Sequence, residues 1–535
     1  MDGLSFIPAP PRLGSDPARA DIACFAGFVA RRPVLPRQPG ETDEDYLQRL
    51  PASLREWLRE HDWAPGRNGR TADDLVDLKD LPVPIDTWDV FDALFAWDAR
   101  VLDCSGRRCD TLLGAAVRSF FAQGGRKCYV VRLGNALPVF ARTPIRRRNA
   151  GAVLPTVPAP VAVDRSSWRG VGHLFGLPDV SFLCLPDLPD LFAVTPNTRT
   201  VPSPPIVPEA FQECAERTEP PASRALRGIP APRCDEDGFR GWSDLVRRVG
   251  EFLHRSAREV QFIAAIPLPV DAVTLAGQSA VASRIRAARE AQWTRAALIQ
   301  TAFVQLAYPW LRTRDSAALP GGVEPPDGVL AGLLANSALT RGSWRSALRQ
   351  PVPGVSAVEP VLDRATLQRN LPLTGTPRLP LTVRERVSVI GPSPGGFRIL
   401  SDVTTDDDEA YRPANVNRLV CAIVRAARVT GETAVFQNNG EALWARLRES
   451  MEGLLAGLWA DGALAGEFAE EAFEVRCDRS TITQSDLDTG RVICRVVFTA
   501  ASPIVHVTVV FAMDEGGHVS LASRPSFTAP QSQAA

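Results

Sequence analysis

YRPANVNRLVCAIVRAARVTG, residues 411–431, and NNGEALWARLRESMEGLLAGLWADGALAG, residues 438–466, open the stretch that decides the fold. In the first, Val416, Leu419, Val420, Ile423, Val424 and Ala427 recur at helical spacing, with Arg418, Arg425 and Arg428 on other faces and Gly431 as the expected end. Residues 433–436, TAVF, read as a short strand. In the second, Asn438 or Asn439 is the candidate N-cap, Glu441 suits the first turn, and Leu443, Leu447, Met451, Leu454 and Leu458 form one stripe for burial. EAFEVRCD (471–478) and a polar connection, TITQSDLDTG (481–490), lead to two alternating strands, 491–498 and 504–511. Along the last, Ile504, His506, Thr508 and Val510 take one face and Val505, Val507, Val509 and Phe511 the other. No catalytic set lies among these elements, so the stretch reads as a scaffold that presents strand edges.

Beyond its periodicity, the order of residues resembles the contractile tail sheath proteins of phages and of bacterial contractile injection systems. The matching residues are Tyr411 and Arg412; Asn415, Val416, Arg418 and Leu419; Phe436, Asn439, Leu443 and Trp444; Gly462, Ala463, Leu464 and Gly466; Glu471, Ala472, Phe473, Val475, Cys477 and Asp478; and Ala500 with Pro503. PVPIDTWDVFDALFAW (82–97), LLGAAVRSFFAQGGRKCYVVRLG (112–134), YPWL (308–311) and EPPDGVLAG (324–332) resemble further family elements, with Arg341, Gly342 and Trp344 continuing the match. The resemblance covers roughly residues 3–30, 78–135 and 260–515, with gaps. It departs where the family has A-P-A-N and this chain has 346–349, SALR, and where a W-G-A-R-T-L strand is replaced by 398–402, RILSD.

The resemblance implies a mixed α/β fold: a sheath-type core of a mixed sheet flanked by helices, with extended terminal arms and an inserted peripheral α/β domain. The expected divisions are an N-terminal arm at 1–20, a first core section at 21–135 with an insertion at 36–77, and an inserted domain at 136–400 containing a Pro-rich connection at 196–233. A C-terminal core at 401–502 and an arm strand with tail at 503–535 complete the chain. In the family, arms leave one subunit and add strands to a neighbour's sheet. That assigns Leu4, Phe6 and Ile7 to the N-terminal arm and Val505, Val507, Val509 and Phe511 to the C-terminal one. Pairing of both strands within their own chain is the alternative. The helix from Glu441 is expected to face an inner tube through Arg446, Arg448, Glu449 or Glu452, or else to be an internal helix with a solvated face.

The partners so implied are copies of the chain itself, as hexameric rings stacked into a helical sheath, an inner tube protein, and baseplate and terminal cap proteins. Function is then mechanical, as a polymerising sheath or as a specialised relative forming a baseplate-proximal or cap ring. Assembly is expected in the cytoplasm, followed by service in a phage tail or a released particle.

Bulk composition agrees with a scaffold. The 535 residues exceed one simple core, and a formal charge of −1 provides no global field toward nucleic acid or anionic lipid. The basic run at 146–148 and the acidic run at 406–409 both read as solvated loops. Ten cysteines lie singly in apolar stretches, as core residues do in a reducing compartment. Residues 496–513 carry no formal charge, yet Pro503 and the polar alternation favour two strands over a membrane span. The five histidines lack ligand spacing, and no Walker loop, nucleophile elbow or dinucleotide fingerprint is present, so neither cofactor, metal nor catalytic residue is expected.

Elsewhere, the continuous apolar run 22–29 predicts a strand buried on both faces. An amphipathic helix ending at Gly124-Gly125 should feed a strand at 128–131. Strands at 180–185 and 260–266 and helices at 242–255 and 277–306 give an alternating α/β pattern.

Overall fold

A computed structural model describes residues 20–102, 106–196, 226, 229–371, 381–434, 438–501, 504–513 and 519–521. The chain divides into two compact units: Asp21–Thr340 with Ser346–Asn417, and Arg341–Arg345 with the chain from Arg418 onward. Leu4, Phe6 and Ile7 lie outside the described residues.

The first unit is built on eight strands: β1 (Ala23–Phe28), β2 (Pro82–Ile85), β3 (Cys128–Gly134), β4 (Phe182–Cys184), β5 (Gln261–Ala265), β6 (Val304–Tyr308), β7 (Ser388–Ser393) and β8 (Gly396–Ile399). They lie in the order β8-β7-β6-β5-β4-β1-β3-β2. The inner strands are parallel and the outer pairs, β7/β8 and β2/β3, antiparallel. Every residue of β1 is buried, and its alternate side chains serve opposite faces. Cys24, Ala26 and Phe28 join one core with Val131, Leu183 and Phe262, and Ala23 and Phe25 join another with Val130, Cys184 and Ile263.

Helices cover both faces. In the unit's chain order they include α1 (Asp43–Leu47), α2 (Ala52–Glu60), α3 (Ala72–Asp77), α4 (Trp88–Leu94), α5 (Leu112–Ala122), α6 (Thr143–Asn149), α7 (Glu236–Ser256), α8 (Val281–Ala297) and α9 (Asp327–Arg341). α7 sends Phe239, Trp242, Val246 and Leu253 into the first core, while α5 and α9 send Val117, Phe120, Val329 and Leu333 into the second. Trp242 is wholly buried, and its truncation to Ala costs about 3–5 kcal/mol by analogy with other large core side chains. Gly328 and Gly332, one turn apart, let α9 cross α5 with backbones in contact. A Cβ on either would lie 2.4 Å from the Ala116 or Phe120 carbonyl oxygen. α5 ends as its glycines predict, with Gly124 at φ +99 and the Gly125 amide donating to Phe120 O at 3.0 Å.

Three expectations need correction. The section at 136–400 is not a separate inserted domain, because β4 to β8 complete the same sheet as β1 to β3. Residues 36–77 pack onto the body, with Tyr46, Leu54, Leu58, Trp63 and Leu75 in the second core. The helix expected at 277–306 stops at Ala297, and Val304–Tyr308 is a strand held between β5 and β7. Its buried Gln305 donates to Ser388 Oγ at 2.8 Å and Asp402 Oδ1 at 3.1 Å. The basic run at 146–148 is the last turn of α6. There Arg146 is buried against Asp190, whereas Arg147 and Arg148 are exposed.

The crevice at which such sheets hold ligands, beyond the carboxyl ends of the strands where the order reverses, is closed here. β3 and β4 flank β1, and Asp187, which follows β4, accepts the Phe28 amide at 2.6 Å. A Cβ on Gly27 would meet that carboxylate at 2.4 Å. Burial pushes Asp187 up to about 7. Asp190, by contrast, is held below its ordinary value: burial alone would raise it, but the guanidinium groups of Arg100 and Arg146 prevail. The acidic run is not fully solvated either, because Asp407 pairs with the buried Arg386, which also donates to Ala297 O and Ile299 O at 3.1 and 3.2 Å.

Candidate functional site

The second unit holds the C-terminal strands that the sequence reading singled out. α10 (Ala414–Ala434) enters this unit and runs on through Gly431, so Thr433 and Ala434, expected to open a strand, are helical. Residues 435–437 lie outside the described set. Burial of Leu419, Ile423 and Val424 outweighs the roughly 1 kcal/mol that an interior glycine costs a helix. Arg418 and Arg425 are buried as well, and Arg418 Nε donates to Ser343 O at 3.1 Å.

α11 (Glu441–Ala460) is capped by Gly440 without a side-chain bond, in place of either asparagine. Asn439 instead accepts Trp444 Nε1–H at 2.8 Å, and the Arg479 guanidinium stands 5.2 Å from the Trp444 ring centroid. The buried stripe is Leu443, Trp444, Leu447, Met451, Leu455 and Leu458, so Leu455 takes the place expected of the half-buried Leu454. The stripe faces an antiparallel sheet in the order β9 (Phe473–Arg476), β10 (Val492–Ala501), β11 (Ile504–Met513) and β12 (Val519–Leu521). Between β9 and β10, the connection read as merely polar holds α12 (Gln484–Asp488), begun by a capping box of Thr483 and Asp486. Along β10, Val492, Cys494, Val496, Phe498 and Ala500 are buried, and Arg495 is exposed.

β11 pairs with β10 over all ten of its residues. Val505, Val507, Val509 and Phe511 occupy the register positions opposite Ala500, Phe498, Val496 and Cys494 of the same chain. On its far side β11 meets β12 only through Phe511, Ala512 and Met513. Among the described residues, 504–510 therefore have no strand partner on that side, and neither has the outer edge of β9. Unpaired edges present backbone donors and acceptors at strand spacing, which is what an added strand requires. Sequence reading missed β12, for which the Asp514-Glu-Gly-Gly517 turn composition before Val519 was the available signal.

On α11, Arg446, Glu449 and Glu452 are exposed, and Arg448 is half-buried with its Nε 3.8 Å from Glu452 Oε1. These four stand off the buried stripe on the helix surface. Among the described residues no group of His, Cys, Asp and Glu is arranged to hold a metal, and no helix is long and apolar enough to cross a membrane.

No protein-family profile matches the sequence, and no curated protein matches it. Solved structures do. The anti-feeding prophage baseplate, 6-fold symmetrised, aligns with a TM-score of 0.51 at 18% identity, covering 94% of this chain and 96% of that one. The same prophage's baseplate in the contracted state aligns at 0.51 and 15% identity, over 98% and 96%. Its helical sheath in the contracted state aligns at 0.48 and 18%, over 94% and 97%. The chain shares its fold with these anti-feeding prophage baseplate chains.

Within this fold, the residues that carried the resemblance have structural work. Gly328 and Gly332 allow the α5/α9 crossing, Trp444 is pinned by Asn439, and Leu464 forms a bridge to Ala500 that continues the edge of β10 beyond β9.

Proposed function

We propose that the chain is a structural sheath subunit of a contractile tail or contractile injection system, without enzymatic activity. It polymerises around an inner tube by strand exchange between subunits and contracts to drive the tube through a target envelope. The observation that supports this most is the four-stranded C-terminal sheet, whose β9 edge and 504–510 edge are open among the described residues. A strand from another copy added there gains directional backbone bonds, and alternate side chains fix its register. A head-to-tail contact that does not close propagates as a helix, so one kind of subunit suffices for a long cylinder. Joined strands then act as hinges while the rigid first unit moves between two packings. Partners on this reading are other copies in hexameric rings, the tube protein through the Arg446 and Glu449 face, and baseplate and cap proteins. Assembly takes place in the cytoplasm.

A second reading, a ring-forming sheath relative at the baseplate or cap that does not polymerise, is favoured by the pairing of β11 along its whole length with its own β10. A strand retained by its own chain laces no neighbour. Expression of the chain alone followed by negative-stain microscopy separates the two: striated tubes support the polymerising sheath and discrete rings the second reading. Monomers at every concentration would overturn both.

A further inference from the structure

The antiparallel register of β9 and β10 pairs Arg476 with Arg495 and, continued by one residue, sets Cys477 directly across from Cys494. Both thiols are free and buried, at 1% and 8% exposure, on the face of the sheet under α11. Opposed residues of antiparallel strands have Cα atoms about 4.5 or about 5.5 Å apart. Either separation lies within the roughly 4.4–6.8 Å that a disulfide spans. The two thiols influence each other, Cys494 lowering Cys477 and Cys477 raising Cys494.

We propose that Cys477 and Cys494 form a thiol–disulfide modification site: a low-molecular-weight disulfide oxidises the pair to a cross-strand bridge that straps β9 to β10. Cys494 lowers Cys477 against the opposing effect of burial, and Arg448 on α11 lowers it further, while Asp478 raises it. Cys477, with burial and with Glu452 as a negative neighbour, raises Cys494. The two roles are thereby divided. The Cys477 thiolate attacks one sulfur of the oxidant, forming a mixed disulfide and expelling one thiolate. Cys494 then gives its proton to water and attacks the Cys477 sulfur, expelling the second thiol. Two cysteines are oxidised and one external disulfide is reduced to two thiols. Access comes through β9, a four-residue strand whose outer edge is open among the described residues and which can part locally from β10. The bridge closes the segment that carries α12.

The test uses the full chain with Cys104 and Cys214, which lie outside the described residues, replaced by Ser. The folded protein is incubated with oxidised glutathione and digested without reduction for peptide mapping. The expected result is a linked peptide joining Cys477 to Cys494, with loss of two titratable thiols. A rise in the denaturation midpoint of roughly 5 °C or more should accompany it and be reversed by dithiothreitol. Cys477→Ser and Cys494→Val should each abolish the peptide and the shift, the valine variant guarding against a polar group left in the core. Absence of that peptide under conditions in which the denatured chain forms disulfides readily overturns the site. A linked peptide with an unmoved midpoint overturns the strap.

Discussion

The hydroxyl of Ser119 reaches both oxygens of the wholly buried Glu324 carboxyl, at 3.0 and 2.9 Å. Thr313 Oγ1 adds a further bond to the same carboxyl. Burial nevertheless prevails and pushes Glu324 from 4.5 up to about 8. Asp327 rises to about 7 by burial and Asp110 likewise, the latter helped by Asp98.

A carboxyl raised by folding favours the native state at low pH. Below the unfolded value both states hold the proton and the full contribution is present. Between 4.5 and about 8 the unfolded chain releases it while the folded chain does not, so stability falls as pH rises through that window and levels off above it. One such group contributes a slope of up to about 1.4 kcal/mol per pH unit. Denaturation midpoints should therefore decline from pH 5 to 8, and Glu324→Gln, which keeps an acceptor for Ser119, should decline less steeply. Parallel profiles for the two proteins would show that Glu324 does not titrate in this way.

Asp190 joins two buried guanidinium groups, Arg100 and Arg146, whose side chains are each 2% exposed. Asp190→Asn leaves both charges in the core without their counter-ion and should cost about 3–5 kcal/mol in chemical denaturation. Arg146→Met should cost less, because Arg100 still neutralises the carboxylate, and Arg147→Met on the exposed face should stay within about 0.5 kcal/mol. Equal losses for Arg146 and Arg147 would contradict the burial that separates these neighbours.

What the sequence made legible was whatever a local pattern decides. β1 was readable because a buried parallel strand needs only an unbroken apolar run, and β10 and β11 were readable as strands because alternation persists on both sides of Pro503, although their pairing with each other was only the alternative reading. What failed depended on distant partners. Val304–Tyr308 follows an alanine-rich helix and becomes a strand only because β5 and β7 flank it. Arg146 is buried because Asp190, 44 residues away, receives it. α10 passes Gly431 because packing outweighs propensity. For the edge residues the sequence could name Val505, Val507, Val509 and Phe511 as one face, and the single chain places them opposite its own β10. What a strand does in an assembly is decided by other copies.

Glycines in two helices should respond in opposite directions. Gly328→Ala drives a methyl to 2.4 Å from Ala116 O, where neither backbone can yield, and should destabilise by about 1–3 kcal/mol. At Gly453 on α11 a Cβ meets nothing within 4 Å, so Gly453→Ala removes only unfolded-state freedom and should stabilise by about 0.5–1 kcal/mol. Urea titrations of the two variants check both signs, and a neutral Gly328→Ala would mean that α5 and α9 can separate without loss.

Arg446 and Arg448 test the proposed tube-facing surface of α11. Reversing both to Glu changes the charge of that surface by four units while leaving Leu443, Leu447 and Met451 untouched. The 3.8 Å pairing of Arg448 with Glu452 becomes a like-charge i,i+4 contact, which costs the helix only about 0.3–0.5 kcal/mol. The monomer should therefore keep its denaturation midpoint within a few degrees, while co-sedimentation with the proposed inner tube protein drops several-fold. Low salt should widen the difference and high salt narrow it, since exposed charges are screened beyond about 10 Å at 0.1 M. Undiminished co-sedimentation of the folded double variant at low salt would remove this face from the interface and leave α11 as a helix whose polar side meets only solvent.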